Sequence, residues 1–250
     1  MTATVSLIIA TKDASATLHA CLRSCGEQTA CRQLEVIIQD ACSVDGTSAI
    51  VQDVAASFPD LTIKFHQERD SGIYDAWNRG LQRAEGDWIC FIGADDWWAD
   101  QNAIESRIRR VSARPEVNAY IAPVLLVGRH GEARMVGGAW DVSALRRSQN
   151  IAHVGMMLKR ELFSQFGDFC PGYRIAGDYE FLLRIGAAVV PIWCDQPDIC
   201  VGDEGVSRAN AWSCLRETHK IHRIAFGRAH AACWWAVAAF KLGMRRLLFR

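Results

Sequence analysis

The strongest constraint on this chain is an alternation that runs through its first half. Short apolar runs, VSLIIA, LEVIIQD, LTIKFH and WICFI, are separated by segments whose apolar residues recur at helical spacing. Leu18, Cys21, Leu22 and Cys25 show that spacing, and further helices are expected from about Thr47 to Ser57, over IYDAWNRGLQRA, and from about Asn102 to Val111. Strand and helix in this rhythm predict an α/β fold with a mainly parallel central sheet flanked by helices. Ligands of such sheets bind beyond the carboxyl ends of the strands.

Those ends are polar and mostly acidic. Thr11, Lys12 and Asp13 follow the first strand, Asp40 to Asp45 the second, Glu68 to Asp70 the third, and Asp95 with Asp96 the fourth. Turn and cap chemistry explains part of this: Asp45 and Gly46 form a turn signal, and Thr47 suits a helix cap. Asp40, placed directly at a strand end, is less easily explained that way. Asp95 and Asp96 are adjacent like charges, and burial without a partner would raise the pKa of at least one. Either they begin the next helix, a role that Asp100 fills better, or they hold a divalent cation. Magnesium and manganese are commonly held by one or two carboxylates, with phosphate and water completing the shell.

Composition removes other classes. Half of the residues are hydrophobic and the formal net charge is zero, so a sizeable core is expected and no general attraction to nucleic acid. Ten cysteines are scattered without a C-x-x-C pair, and several fall at apolar positions, which points to a reducing compartment. The first residues lack the basic segment and long apolar core of a signal peptide, so a cytoplasmic location is expected. The first strand runs into ATKDASATL without the glycines of a dinucleotide fingerprint, and no glycine-rich basic loop follows it to hold a triphosphate.

The second half is less regular. YIAPVLLVGRHGEARMV suggests two strands joined near Gly131, HVGMMLKRELFSQFG a strand running into a helix closed by Gly167, and GDYEFLLRIGA a helix with Asp178 in its first turn. AVVPIWC suggests a late strand, and both halves are expected to share one sheet. After about Ala211 the chain reads as helix. Its apolar stretch is about half of the roughly 20 residues needed to cross a bilayer. It either packs on the domain or lies on an anionic membrane surface, with Trp234, Trp235 and Phe240 inserted and Lys241, Arg245, Arg246 and Arg250 near headgroups.

The segments SLIIATKD, LHACLRS, LEVIIQDACSVDGT and ERDSGIYDAWNRGLQRAEGDWICFIGADD resemble the nucleotide-binding half of family 2 glycosyltransferases, which have the GT-A fold. HVGMMLKRELFSQFGDF and YRIAGDYEFLLRIG resemble the acceptor half, in the group that builds bacterial surface polysaccharides. The resemblance implies a nucleotide-binding half over about 1–115 and an acceptor half over about 116–210, beyond which the helical tail covers 211–250. It implies an inverting transfer from a nucleotide sugar to a glycan or lipid-linked glycan, at the inner face of the membrane. By position, Asp40 would contact the base, with Thr11 and Asp13 bordering the same pocket. Asp70, Asp75 and Arg79 would approach the donor. The family's D-x-D motif, which binds ribose and the metal–diphosphate, becomes Gly93, Ala94 and Asp95, followed by Asp96. Either aspartate could therefore hold Mn2+ or Mg2+. Asp178 matches the catalytic base, although Gly177 stands where an acidic neighbour is usual, and helix N-terminal stabilisation is its other reading. His153 matches a position near the acceptor or is structural, and Ser207 and Arg208 match a loop that folds over the diphosphate. The two missing carboxylates motivate an alternative, a non-catalytic sugar-nucleotide-binding or scaffold protein.

Overall fold

The computed structural model describes residues 4–128, 131–202 and 210–248. The four expected strands form as β1 (Val5–Thr11), β2 (Leu34–Asp40), β3 (Thr62–Gln67) and β4 (Trp88–Ile92). They run parallel in the spatial order β4, β1, β2, β3. The connecting helices are α1 (Leu18–Gly26), α2 (Thr47–Ser57) and α3 (Ile73–Arg83), with α4 (Ala103–Ser112) after the fourth strand.

The alternation of side chains along each strand divides the core in two. Leu7, Ile9, Val36, Ile38, Cys90 and Ile92 join one cluster with residues of α1, α2 and α4. Ile8, Ile37, Ile89 and Phe91 join the other, with Tyr74, Trp77 and Leu81 of α3. Both faces are therefore covered, which is why these strands read as nearly continuous apolar runs. Every described cysteine is free, and Cys21, Cys25 and Cys90 are buried as small apolar side chains.

The expectation of one shared sheet needs correction. Strands β6 (Ala119–Ile121), β9 (Met157–Lys159) and β10 (Pro191–Trp193) do extend the large sheet to seven strands, with β9 antiparallel to β4 and β6. A second sheet of four holds β5 (Trp97–Trp98), β7 (Val124–Val127), β8 (Ala133–Val136) and β11 (Ile199–Gly202). The run YIAPVLLV breaks at Pro123, which has no N–H for a ladder, and the chain passes there from the first sheet to the second. His153 likewise does not start a strand. Its carbonyl accepts from the Met156 amide at 3.0 Å across a turn in which Gly155 takes φ +73°, and the strand begins only at Met157.

The acceptor half adds the short helix α5 (Val142–Leu145), α6 (Arg160–Phe166) and α7 (Gly177–Ile185). The tail is two helices, α8 (Ala211–Phe226) and α9 (Arg228–Leu248), folded back at Gly227, whose φ of +87° favours glycine. Trp234 and Trp235 are half-buried and pack against the protein. The Trp234 indole donates to the Arg147 carbonyl at 2.6 Å and lies against His222, while Trp235 packs edge-on against His219. Phe240 is 69% exposed, with Val237 and Met244 also exposed on α9. The Arg245, Arg246 and Arg250 side chains lie outside the described residues, as do Ser207 and Arg208. No described helix is long and apolar enough to cross a membrane.

His222 fixes α8 to α7. The Tyr179 hydroxyl donates to the Leu145 carbonyl at 2.5 Å, so His222 Nε2, 2.9 Å away, is its donor. Burial first, then the neighbouring His230 and His219, lower the His222 pKa to about 4. Its value in the unfolded chain is about 6.5, so between these limits the unfolded state binds the proton that the folded state refuses. Stability should therefore fall as pH drops from about 6.5 to 4, by on the order of 3 kcal/mol from this group. Thermal unfolding at pH 7 and pH 4.5 should show a smaller acid loss in His222→Gln than in the natural chain.

Candidate active site

Strands β4, β1, β2 and β3 end on one side of the sheet, so their loops form a single rim. Thr11 stands opposite Asp40, and Asp40 opposite Gln67. The Asp40 carboxylate is buried and accepts from Thr11 Oγ1 at 2.8 Å, Ser43 Oγ at 2.5 Å, Ser43 N at 2.8 Å and Gln67 Nε2 at 3.0 Å. Burial opposes its ionisation, but hydrogen bonds from Ser43, Gln67 and Thr11 outweigh this and lower its pKa. Four donors fill the carboxylate's acceptor positions. It thus orders the loop, rather than offering a vacant oxygen.

The first loop is tied to the second in the same way. The Asp13 amide donates to Ser43 Oγ at 2.7 Å, its carboxylate accepts from the Val44 amide at 3.1 Å, and its φ of +47° is left-handed. Thr47 does not cap α2. Asp45 accepts from the Thr47 amide and hydroxyl and from the Ser15 amide, bracketing the two loops.

The third loop is closed on itself. Asp70 accepts from the Gly72 amide at 3.0 Å, and Asp75 from the Ser71 amide at 2.8 Å. Burial raises the pKa of Asp70. Arg79 pairs with Glu68 at 2.9 Å and with Asp75 at 3.2 Å, so its charge is balanced within the protein.

After β4 the chain makes a turn from Gly93 to Asp96. Asp96 is 2% exposed, and its Oδ2 accepts from the Gly93 amide at 2.5 Å. Burial first, and Asp95 second, raise its pKa to about 7. Asp95 is less buried and lies against Gly202 of β11. Asp100 separately accepts from the Asn102 amide at 3.0 Å and begins the turn into α4. The pair is thus released from helix capping. Its hard oxygen donors fit a divalent cation, since such an ion would offset both the burial and the repulsion that raise the Asp96 pKa. Among the described residues, no group of three or more His, Cys, Asp or Glu could hold one. Diphosphate oxygens and water would have to complete the shell.

Asp178 lies in the first turn of α7. Its Oδ1 accepts from the Tyr74 hydroxyl at 3.1 Å and its Oδ2 from Gln149 Nε2 at 2.8 Å. Glu217 of α8 accepts from the amides of Arg174, Ile175 and Ala176, each at 2.9 Å, and so holds the segment that leads into α7. One cleft of about 840 Å³ is lined by Asp95, Asp96 and Gly202 on one side and by Tyr74, Asp178 and Arg216 on another.

One cleft thus holds paired carboxylates at a strand end and a separate carboxylate at a helix start. The family model for glycosyl transferase family 2 matches residues 6–135, just over half of the chain. The chain belongs to glycosyl transferase family 2. A PGL/p-HBAD biosynthesis glycosyltransferase of Mycobacterium tuberculosis is 32% identical over 179 residues, covering 72% of this chain and 68% of that relative. Among solved structures, S. aureus TarS 1–349 in complex with UDP-GlcNAc superposes with a TM-score of 0.72 at 17% identity, covering 89% of this chain and 65% of that one. The chain thus spans slightly less than two thirds of that structure. The mannosyltransferase PcManGT of Pyrobaculum calidifontis, in complex with GDP-Man and Mn2+, superposes with a TM-score of 0.66 at 20% identity, covering 99% and 81%. The fold is GT-A.

Both departures from the family 2 pattern fall at crowded positions. A Cβ on Gly93 would lie 2.6 Å from Asp95 Oδ1 and 3.0 Å from Asp96 Oδ2, so a side chain there would push the two carboxylates from their present positions. A Cβ on Gly177 would lie 2.7 Å from the Tyr74 ring, which approaches closely in order to reach Asp178. Restoring the family's first carboxylate as Gly93→Asp should therefore damage the site. A melting temperature lower by several degrees and weaker nucleoside diphosphate binding in calorimetry are the expected readouts, consistent with an overpacking cost of about 1–3 kcal/mol.

His153 lies behind the cleft wall rather than on it. It is 4% exposed, stacked with Trp77 at 5.4 Å and Phe91 at 5.6 Å, and neither ring nitrogen has a hydrogen-bond partner. Burial lowers its pKa, which keeps it neutral, against the opposing pull of Asp178. Sequence reasoning missed Tyr74, Gln149 and Glu217 as partners of the site, and also Arg107. The buried Arg107 pairs with Asp198 at 2.7 Å and lies between the rings of Trp98 and Tyr120, joining α4 to the second sheet. Its one signal in the sequence is a cation at an apolar position of α4.

Proposed function

We propose that this protein transfers a glycosyl group from a nucleoside diphosphate sugar to an acceptor hydroxyl, with inversion at the anomeric carbon. The observation that carries the reading is the single cleft that holds both Asp95 with Asp96 and Asp178. A divalent cation on the paired aspartates would supply Lewis-acid stabilisation of the leaving diphosphate. Asp95, the less buried, is its direct ligand, and Asp96, anchored to the Gly93 amide, backs it. Arg174 and Arg216 line the same cleft and add positive charge for the diphosphate. Arg79, paired within its own loop, is proposed to hold Asp75 in place instead.

The nucleoside lies along the strand-end rim, from Asp95 past Thr11 and Asp13 to Asp40, with Asp70 at its edge. Neighbouring strands are about 4.8 Å apart, so the step from β4 across β1 to β2 spans about 10 Å, a fitting length for ribose and base. Asp40 acts on the base through the loop that it orders. Asp178 takes the proton of the attacking hydroxyl. The bond from acceptor oxygen to anomeric carbon forms as the bond to phosphate breaks, and the diphosphate leaves with that electron pair. His153 is proposed to pack the wall behind the acceptor.

The named relative acts in PGL/p-HBAD biosynthesis, which supports a role in bacterial surface glycan or glycolipid synthesis, proposed to take place at the cytoplasmic face of a membrane. Exposed Val237, Phe240 and Met244 beside Lys241 give α9 an apolar stripe for weak surface contact. Phe240→Ser should reduce cosedimentation with anionic vesicles, and equal sedimentation by both forms would remove this part of the reading.

The whole proposal is tested by incubating the protein with UDP-, GDP- and dTDP-sugars, with and without Mn2+, and measuring release of nucleoside diphosphate. Metal-dependent release is expected with one donor class. Binding without release across donors and acceptors would favour a scaffold instead.

A further inference from the structure

Asp178 also borders a second cavity. A trough of about 670 Å³ lies between α7 and the C-terminal hairpin, and Ile175 and Asp178 line both this trough and the cleft described above. The two carboxylate oxygens divide between them. Oδ1 accepts from Tyr74, which lines the cleft, and Oδ2 from Gln149, which lines the trough. The hydroxyl that a base deprotonates must also reach the donor's anomeric carbon, so an acceptor seated in the trough has to extend its hydroxyl past Asp178 into the cleft, and no other described carboxylate lines both cavities.

The walls of the trough are mainly apolar where the hairpin supplies them. Leu215 comes from α8 and Trp234, Ala238 and Leu242 from α9, facing Ile151 and Ile175 of the domain. The Trp234 indole is held in place by its bond to the Arg147 carbonyl. Ser148, Gln149, Thr218 and Lys241 contribute the polar lining. An unsubstituted sugar, surrounded by hydroxyls, would lose water against such walls without regaining its hydrogen bonds. A volume of this size is within the ordinary range for a small-molecule site.

We infer that this trough seats the acceptor, and that the acceptor is an amphipathic glycoside whose apolar alkyl or aryl aglycone lies between Ile151, Ile175 and the hairpin while its hydroxyl reaches Asp178. This rests on the reading of Asp178 as the base. The hairpin thereby determines acceptor specificity, by providing one wall of the acceptor site.

The experiment uses the full chain with octyl β-glucoside below its micelle concentration and glucose as probes, observed by saturation-transfer NMR and calorimetry. Octyl glucoside should bind at least about tenfold more tightly than glucose, a difference of about 1.4 kcal/mol. Ala238→Trp and Leu215→Trp, which fill the trough, should each weaken it by about tenfold while leaving Mn2+–nucleoside diphosphate affinity unchanged. A second measurement needs no variant: photolysis of p-azidophenyl β-glucoside on the natural chain should label the segment from Trp234 to Leu242. Equal affinity for the two probes, undiminished binding in both variants, or labelling only elsewhere would overturn the inference. Failure of nucleoside diphosphate to bind would instead count against the donor cleft, so the two readings fail separately.

Discussion

Asp178→Asn is expected to lower the turnover number for glycosyl transfer by about a thousandfold, within the range of about 10²–10⁴ associated with a positioned general base. Asparagine keeps the size of the side chain and can still bond to Tyr74 and Gln149, which hold the carboxylate at 3.1 and 2.8 Å. It has no basic oxygen to take the acceptor proton. The affinity for nucleoside diphosphate should stay within about twofold, because Asp95 and Asp96 are untouched; an interaction made only in the transition state lowers kcat and kcat/KM together. Turnover near that of the natural protein would remove Asp178 from the role of base. A parallel loss of nucleoside diphosphate affinity would show instead that its effect passes through the fold of the cleft.

The second large effect is expected from Asp95→Ala combined with Asp96→Ala. Removing both carboxylates should eliminate the Mn2+-dependent part of nucleoside diphosphate binding, a loss of about a hundredfold or more, since one or two carboxylates commonly supply all of the protein's ligands to such an ion. The single changes should differ. Asp95→Ala should lose metal-dependent affinity with little change in melting temperature. Asp96→Ala should also disturb the turn, because it removes the acceptor of the Gly93 amide. Calorimetric titration with and without Mn2+ separates these outcomes, and unchanged metal dependence in the double variant would exclude the pair as the cation site.

The elements that the chain displays most openly are those set by local periodicity. The strands VSLIIA, LEVIIQD and WICFI and the helix holding Asp178 could be read because burial on both sheet faces leaves long apolar runs, and because helix starts attract acidic residues. The strand β5 of Trp97 and Trp98 could not. It has two residues, and only its pairing with β11 makes it a strand. The tail shows the same limit in another form. Its composition suits a membrane surface as well as a packed helix, and the choice for Trp234 depends on the Arg147 carbonyl, 87 positions away in sequence.

The sequence by itself determined the parallel half of the sheet, the rim of polar strand ends and the positions of Asp95, Asp96 and Asp178, since each follows from a pattern confined to a few neighbouring residues. Only the tertiary structure decided which of these groups share a cavity. It brought Asp178 into one cleft with the aspartate pair, placed Tyr74 and Glu217 where they support α7, and filled Asp40 with internal hydrogen bonds. It also showed what surrounds the two glycines that the pattern left unexplained. At Gly93 and Gly177 the space for a side chain is occupied by atoms of Asp95 and Tyr74, and that exclusion depends on how the backbone folds around them.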